Sequence, residues 1–139
     1  MQLTIKNNLL SPIQEFLNSL TLSGAQANIA RVRVIVLLTA KINEMEQDRM
    51  VLIKQYANLD DKGEPIIVGD KYDVPTDKMA ELNQAVVELQ SQDAIINVDE
   101  YQEQIKNLRS ALSTYDEPLN GQQAQILVNL LDTIKKGDK

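Results

Sequence analysis

Between Gly24 and Asn58 the chain has neither a proline nor a further glycine. Apolar residues return along it and just past its end at alternating steps of three and four: Ile35, Leu38, Ile42, Met45, Leu52, Tyr56 and Leu59, with Arg49 filling the one seam position they leave. Such a period lays one apolar stripe along a helix. At about 1.5 Å per residue this helix would run roughly 50 Å, longer than a compact domain of this size needs. Either neighbouring helices lie along it or part of it meets a partner. From Val32 to Leu38 the segment is apolar on nearly every helical face and β-branched enough to suit a strand. The heptad continuing beyond it keeps the assignment helical.

Shorter elements flank this helix. Ser11-Pro12 reads as a cap with proline at the first helical position, and Ile13, Phe16, Leu17 and Leu20 follow at helical spacing. Thr21-Leu22-Ser23-Gly24 breaks that helix, with Ser23 placed to cap the long one. After the turn-rich Asn58 to Pro65, the runs Ile66-Ile67-Val68 and Lys71-Tyr72-Asp73-Val74 are joined by Gly69-Asp70 and form a predicted hairpin. Thr76 is placed to cap a helix from Asp77 to about Gln92 with Met79, Leu82, Val86 and Leu89 on one face. Ala94 to Val98 reads as a third short strand, since two strands alone are marginal in water. Asp99 with Gln102 resembles a capping box before a helix bearing Tyr101, Ile105, Leu108 and Leu112. Asn120 caps a last predicted helix with Ala124, Leu127, Leu131 and Ile134 inward, its end from Gly137 to Lys139 frayed. The expected fold is therefore mainly α: one long amphipathic helix packed with shorter helices, plus a small antiparallel β-hairpin or three-stranded sheet, with α+β as the alternative. The 139 residues are expected to form a single helical domain with the hairpin inserted near 65–75.

Composition narrows the chemistry. With no His and no Cys, the chain lacks disulfides, thiolate nucleophiles, His-based triads and the common zinc and copper ligand sets. Aromatic residues make up 4%, so the core must be aliphatic. No apolar run approaches the roughly 20 residues of a membrane span, and the N-terminus lacks the basic and apolar regions of a signal peptide. The net charge of -6 is unevenly placed. Residues 24–58 carry five basic and three acidic groups, whereas 59–117 carry five basic and fourteen acidic ones. A nucleic-acid binder usually presents a basic face, and only the long helix offers one, so nucleic acid is disfavoured as a partner.

The acidic clusters have plain structural readings. Asp99, Glu100 and Glu103 stand at a helix start, where carboxylates suit the dipole, and Asp60, Asp61 and Glu64 stand in a turn. The turn lacks the alternating oxygen ligands of a calcium loop, and the five dispersed glycines form no phosphate-binding motif. No catalytic, cofactor-binding or metal-binding residue is expected, and no cofactor. The candidates are instead interface residues on the long helix: Arg31, Val34, Ile35, Leu38 and Ile42 in its first half, and Met45, Arg49, Leu52 and Tyr56 in its second. Arg31 and Arg49 can pair with a partner's carboxylates through their planar fork. They can equally cover the seam with their aliphatic stems. Tyr72 and Tyr101 are either partner anchors or packing residues.

Ala30-Arg31-Val32-Arg33, Leu37-Leu38, Lys41-Ile42, Glu44 and Glu46, the run Lys54 to Ile66, and Lys78-Met79-Ala80-Glu81-Leu82-Asn83 leading to Ile95-Ile96 carry a resemblance. Together they resemble a family of small uncharacterised proteins encoded by phages and prophages of Gram-positive bacteria, over about the middle two-thirds of the chain. The resemblance implies an origin in such an element and supplies no activity or catalytic residue.

The expected function is that of a non-enzymatic phage or prophage accessory protein acting through protein contact, in virion or tail assembly. The alternatives are a host-directed inhibitor of a bacterial enzyme or defence system and, last, a carboxylate-based enzyme. The expected partner is a phage or host protein, the expected state a homo-oligomer, and the expected location the host bacterial cytoplasm or the virion.

Overall fold

The computed structural model describes residues 1–138, which form two compact units, one built from Met1–Ile42 and from Asp93 onward, the other from Asn43–Gln92. The elements run in the order β1 (Gln2–Lys6), α1 (Asn7–Ser19), α2 (Ala25–Tyr56), β2 (Ile67–Val68), β3 (Lys71–Tyr72), α3 (Met79–Ser91), β4 (Asp93–Asn97), α4 (Gln102–Ser113) and α5 (Gly121–Gly137). The protein is thus mainly helical, with one long helix and two small antiparallel sheets. No helix among the described residues is long and apolar enough to cross a membrane.

The first unit holds the large core. β1 pairs antiparallel with β4, Leu3 opposite Ile96 and Ile5 opposite Ala94, and these four side chains face inward while their neighbours face out. The third strand expected beside the hairpin therefore pairs with the N-terminal segment instead. Alternation in Gln2-Leu3-Thr4-Ile5-Lys6 matches the inward and outward faces of a strand. Upon the inner face pack Leu10, Ile13, Phe16 and Leu17 of α1, Ile105, Leu108 and Leu112 of α4, and Leu130 and Ile134 of α5.

Several helix starts differ from the sequence reading. α1 begins directly after β1 and carries Pro12 within it. Leu10 is fully buried with Ile13 and Leu17 on the same face, and this packing outweighs the backbone hydrogen bond that proline cannot donate. A 3₁₀ turn, Thr76–Lys78, precedes α3 without a side-chain cap, so Thr76 lies inside the first turn. Asn120 does cap α5, in a capping box with Gln123: the Gln123 N–H donates to Asn120 Oδ1 (2.8 Å) and the Asn120 N–H to Gln123 Oε1 (3.1 Å). The inward row of α5 is Leu130 and Ile134 flanked by Ile126, Leu127 and Leu131, while Ala124 is exposed. The helix persists through Gly137, whose Cα lies against the Gln2 carbonyl. Of the three residues expected to fray, Lys139 lies outside the described residues.

The second unit contains the later part of α2, a stitched turn, the β2–β3 hairpin and α3. Asp60 organises the turn: its carboxylate accepts from the N–H groups of Lys62 (2.8 Å) and Glu64 (3.0 Å). The hairpin hangs on Asn58, which donates its backbone N–H to the Asp73 carbonyl (2.9 Å) and its side-chain amide to the Asp73 carboxylate (3.1 Å). Gly69 adopts φ +66° at the first position of the two-residue loop, as a type II′ hairpin turn requires. The buried apolar residues of this unit are Ile53, Leu82 and Leu89.

Candidate functional site

The expected interface residues separate into different environments. In α2 the buried row of the first half is Ala27, Ala30, Val34 and Leu38, displaced around the helix from the seam through Ile35 and Ile42. Val34 and Leu38 are thus occupied by the chain's own core. Ile35 and Ile42 are partly buried against that core, and Met45, Arg49, Leu52 and Tyr56 are half-buried in the second unit. The two rows share Leu38, and before it the core of the first unit takes Val34, one position ahead of the seam residue Ile35, together with Ala30 and Ala27.

Arg31, expected to meet a partner or to cover the seam, bonds within the chain. Its Nη1 donates to the Leu17 carbonyl near the end of α1 (3.0 Å), and its Nε and Nη2 both reach Asn28 Oδ1 (3.2 and 3.0 Å). Asn28 in turn donates its side-chain amide to the carbonyls of Leu22 (2.9 Å) and Gly24 (3.0 Å). The guanidinium thus caps the Leu17 carbonyl in the last turn of α1 and the amide the Leu22 carbonyl of the connection, while the Gly24 carbonyl also accepts the Asn28 backbone N–H (3.3 Å). Arg49 pairs with Glu46 one turn away (3.4 Å) at the surface. Tyr101 packs against the core with the Arg33 guanidinium 6.0 Å from its ring centroid, at the outer reach of a cation–π contact.

Opposite the buried row, α2 exposes Ile29, Val32 and Val36, which are 43%, 50% and 56% accessible. Steps of three and four place them on one face, continued by the exposed Ala25 and Ala40. Val32 and Val36 lie in the segment that is apolar on nearly every face and Ile29 one turn before it, and none of the three is on the seam through Ile35. Its signal in the sequence is the spacing 29, 32, 36 on the face away from Val34 and Leu38.

In the second unit, α3 and the later part of α2 border a groove of about 340 Å³ lined by Asp48, Val51, Leu52, Ala85, Glu88, Leu89 and Gln92. Val51 is 65% exposed in mid-helix. Charge is divided between the units as sharply as burial. Residues 43–92 carry eleven acidic and five basic groups, a net of -6, whereas the remaining residues carry nine of each and are neutral.

The carboxylate clusters do not assemble. Among the described residues no three carboxylates converge on a point where a metal ion could sit. Asp99 accepts from the Met1 ammonium, and that hydrogen bond and charge hold its carboxyl below the usual carboxylate range, with smaller contributions from Asn97 and Gln102. A polar recess of about 240 Å³ lies between β1 and α5, with Lys6 at its edge bonded to Asp93 (3.1 Å).

Over residues 1–139 the chain matches the family described as a protein of unknown function, DUF1617, and it belongs to that family. No curated protein and no solved structure matches the chain.

Proposed function

We propose that this protein is a non-enzymatic accessory protein of a phage or prophage that works by protein contact in virion or tail assembly, self-associating through the outer face of α2. The observation that supports this reading is the row Ile29, Val32 and Val36, exposed on a helix whose opposite face is already packed. A row of exposed apolar side chains on one helix face supports a surface that a partner covers. The phage or prophage origin rests on the resemblance carried by Ala30 to Arg33 and Lys54 to Ile66. Light scattering at micromolar concentration is expected to give an oligomeric mass that falls when Val32 and Val36 are replaced by Asp. A monomeric wild-type mass removes self-association. Mass spectrometry of purified particles is expected to find the chain, and its absence removes the virion role.

A second reading, a host-directed inhibitor, is favoured by the -6 net charge carried by residues 43–92. Acidic surfaces steer association with basic ones. Under this reading the tagged chain, expressed early in infection, retains one stoichiometric host protein and is missing from the particles.

A further inference from the structure

We propose that the groove between the second half of α2 and α3 receives a basic amphipathic helix of a partner protein. Its lining is apolar from Val51, Leu52, Ala85 and Leu89, of which Leu89 is buried and Val51 exposed, and acidic from Asp48 and Glu88. Glu88 accepts from the Gln84 amide one turn earlier in α3 (3.1 Å). An apolar lining that also carries carboxylates from both helices is complementary to a helix with apolar residues at 3.6-residue spacing and Lys or Arg beside them.

Three further facts select this occupant. The second unit buries three apolar side chains while Val51, Ile67, Val68 and Val87 stay more than half exposed, so its own chain does not complete its apolar packing. A second copy of the unit would set a net charge of -6 against another of -6, which opposes self-pairing here. The same charge repels a nucleic-acid backbone. A basic amphipathic helix suits both the apolar lining and the negative charge of the unit.

This inference rests on the protein-contact reading and is independent of self-association through Ile29, Val32 and Val36. The probe is a synthetic helical peptide of Leu and Lys, with Leu on one face, and its control is a peptide of the same composition scrambled to spread Leu around the helix. Fluorescence anisotropy with the full chain is expected to give saturable micromolar binding to the amphipathic peptide. This binding should weaken several-fold between about 50 mM and about 300 mM salt, as screening shortens the reach of Asp48 and Glu88. Val51→Asn and Glu88→Lys should each weaken it by ~5-fold or more. Val128→Asn, at an exposed site on α5, should leave it unchanged. Val51 is largely solvated, so Val51→Asn is expected to keep its thermal midpoint, and a circular dichroism melt checks this. Equal binding of the scrambled peptide, or unchanged affinity in Val51→Asn, overturns the proposal. Neither result alters the light-scattering mass, which tests the self-association reading separately.

Discussion

Replacing Gly137 by Ala sets helix propensity against a close approach of backbones. A Cβ built there would stand 2.3 Å from the Gln2 carbonyl oxygen, 3.2 Å from its carbon and 3.4 Å from Leu3 Cδ2. Propensity alone favours Ala over Gly by at most about 1 kcal/mol in a helix interior, and by less in a last turn. The contact acts in the other direction, because the oxygen belongs to a strand fixed by the β1–β4 ladder and has no flexible end that can swing away. Overpacking of this kind costs about 1–3 kcal/mol. Unwinding the last turn of α5 would relieve the contact but gives up the Asp138 N–H bonds to the Ile134 and Lys135 carbonyls and the Arg109–Asp138 pair (3.8 Å). A typical backbone hydrogen bond contributes about 1 kcal/mol and an exposed ion pair less. The loss therefore comes to about 1–2 kcal/mol, read as a lower urea midpoint at constant slope. Gly121→Ala is the matched control: nothing lies within 4 Å of its added Cβ, and it should be neutral or stabilising. A Gly137→Ala variant as stable as wild type, with Gly121→Ala behaving as expected, would refute the close packing of α5 on β1.

Two other perturbations test local arguments. Arg31→Ala should cost about 1.5–3 kcal/mol, since a charged donor to the Leu17 carbonyl and to Asn28 is lost from a part-buried site. Arg31→Lys should recover less than half of that in urea melts, because one ammonium does not reproduce the fork, and full recovery would contradict the geometry. Asp99→Asn should lower the thermal midpoint at pH 7. The folded-state pKa of Asp99 is depressed, so its stabilisation is present above the unfolded value of about 3.9 and is lost as pH falls through the folded value. The wild-type and Asp99→Asn midpoints should therefore converge under acid, and a gap that persists there would show that the pairing with the Met1 ammonium is not its source.

The parts legible in the sequence were those fixed by local chemistry. Neither Pro nor Gly interrupts Ala25–Tyr56, Gly69-Asp70 has the residues of a tight hairpin loop, and Asn120 with Gln123 spells a cap. What local chemistry leaves open is the partner of each element. Ala94 to Val98 reads as a strand, but its pairing with Gln2–Lys6 is decided by residues about ninety positions away. The row 27, 30, 34, 38 and the heptad seam both suit one helix, and the choice between them came from α1 and the sheet-bearing core. The sequence leaves Arg31 as an interface residue or a snorkelling one, because the Leu17 carbonyl it satisfies comes within reach only once α1 turns into α2. The exposed apolar row of α2 is signalled by the spacing of Ile29, Val32 and Val36, although its exposure depends on which opposite row the core selects.

The pairing of β1 with β4 also sets a timetable for synthesis. Leu3 and Ile5 leave the ribosome long before Ala94 and Ile96, and at about 5–20 residues per second the wait is roughly 5–20 s. Over that interval the residues of the second unit are all made, while the first unit still lacks the strand and the two helices that close its core. A nascent chain arrested before β4 should therefore carry its N-terminal strand unpaired, with an apolar face open to chaperones.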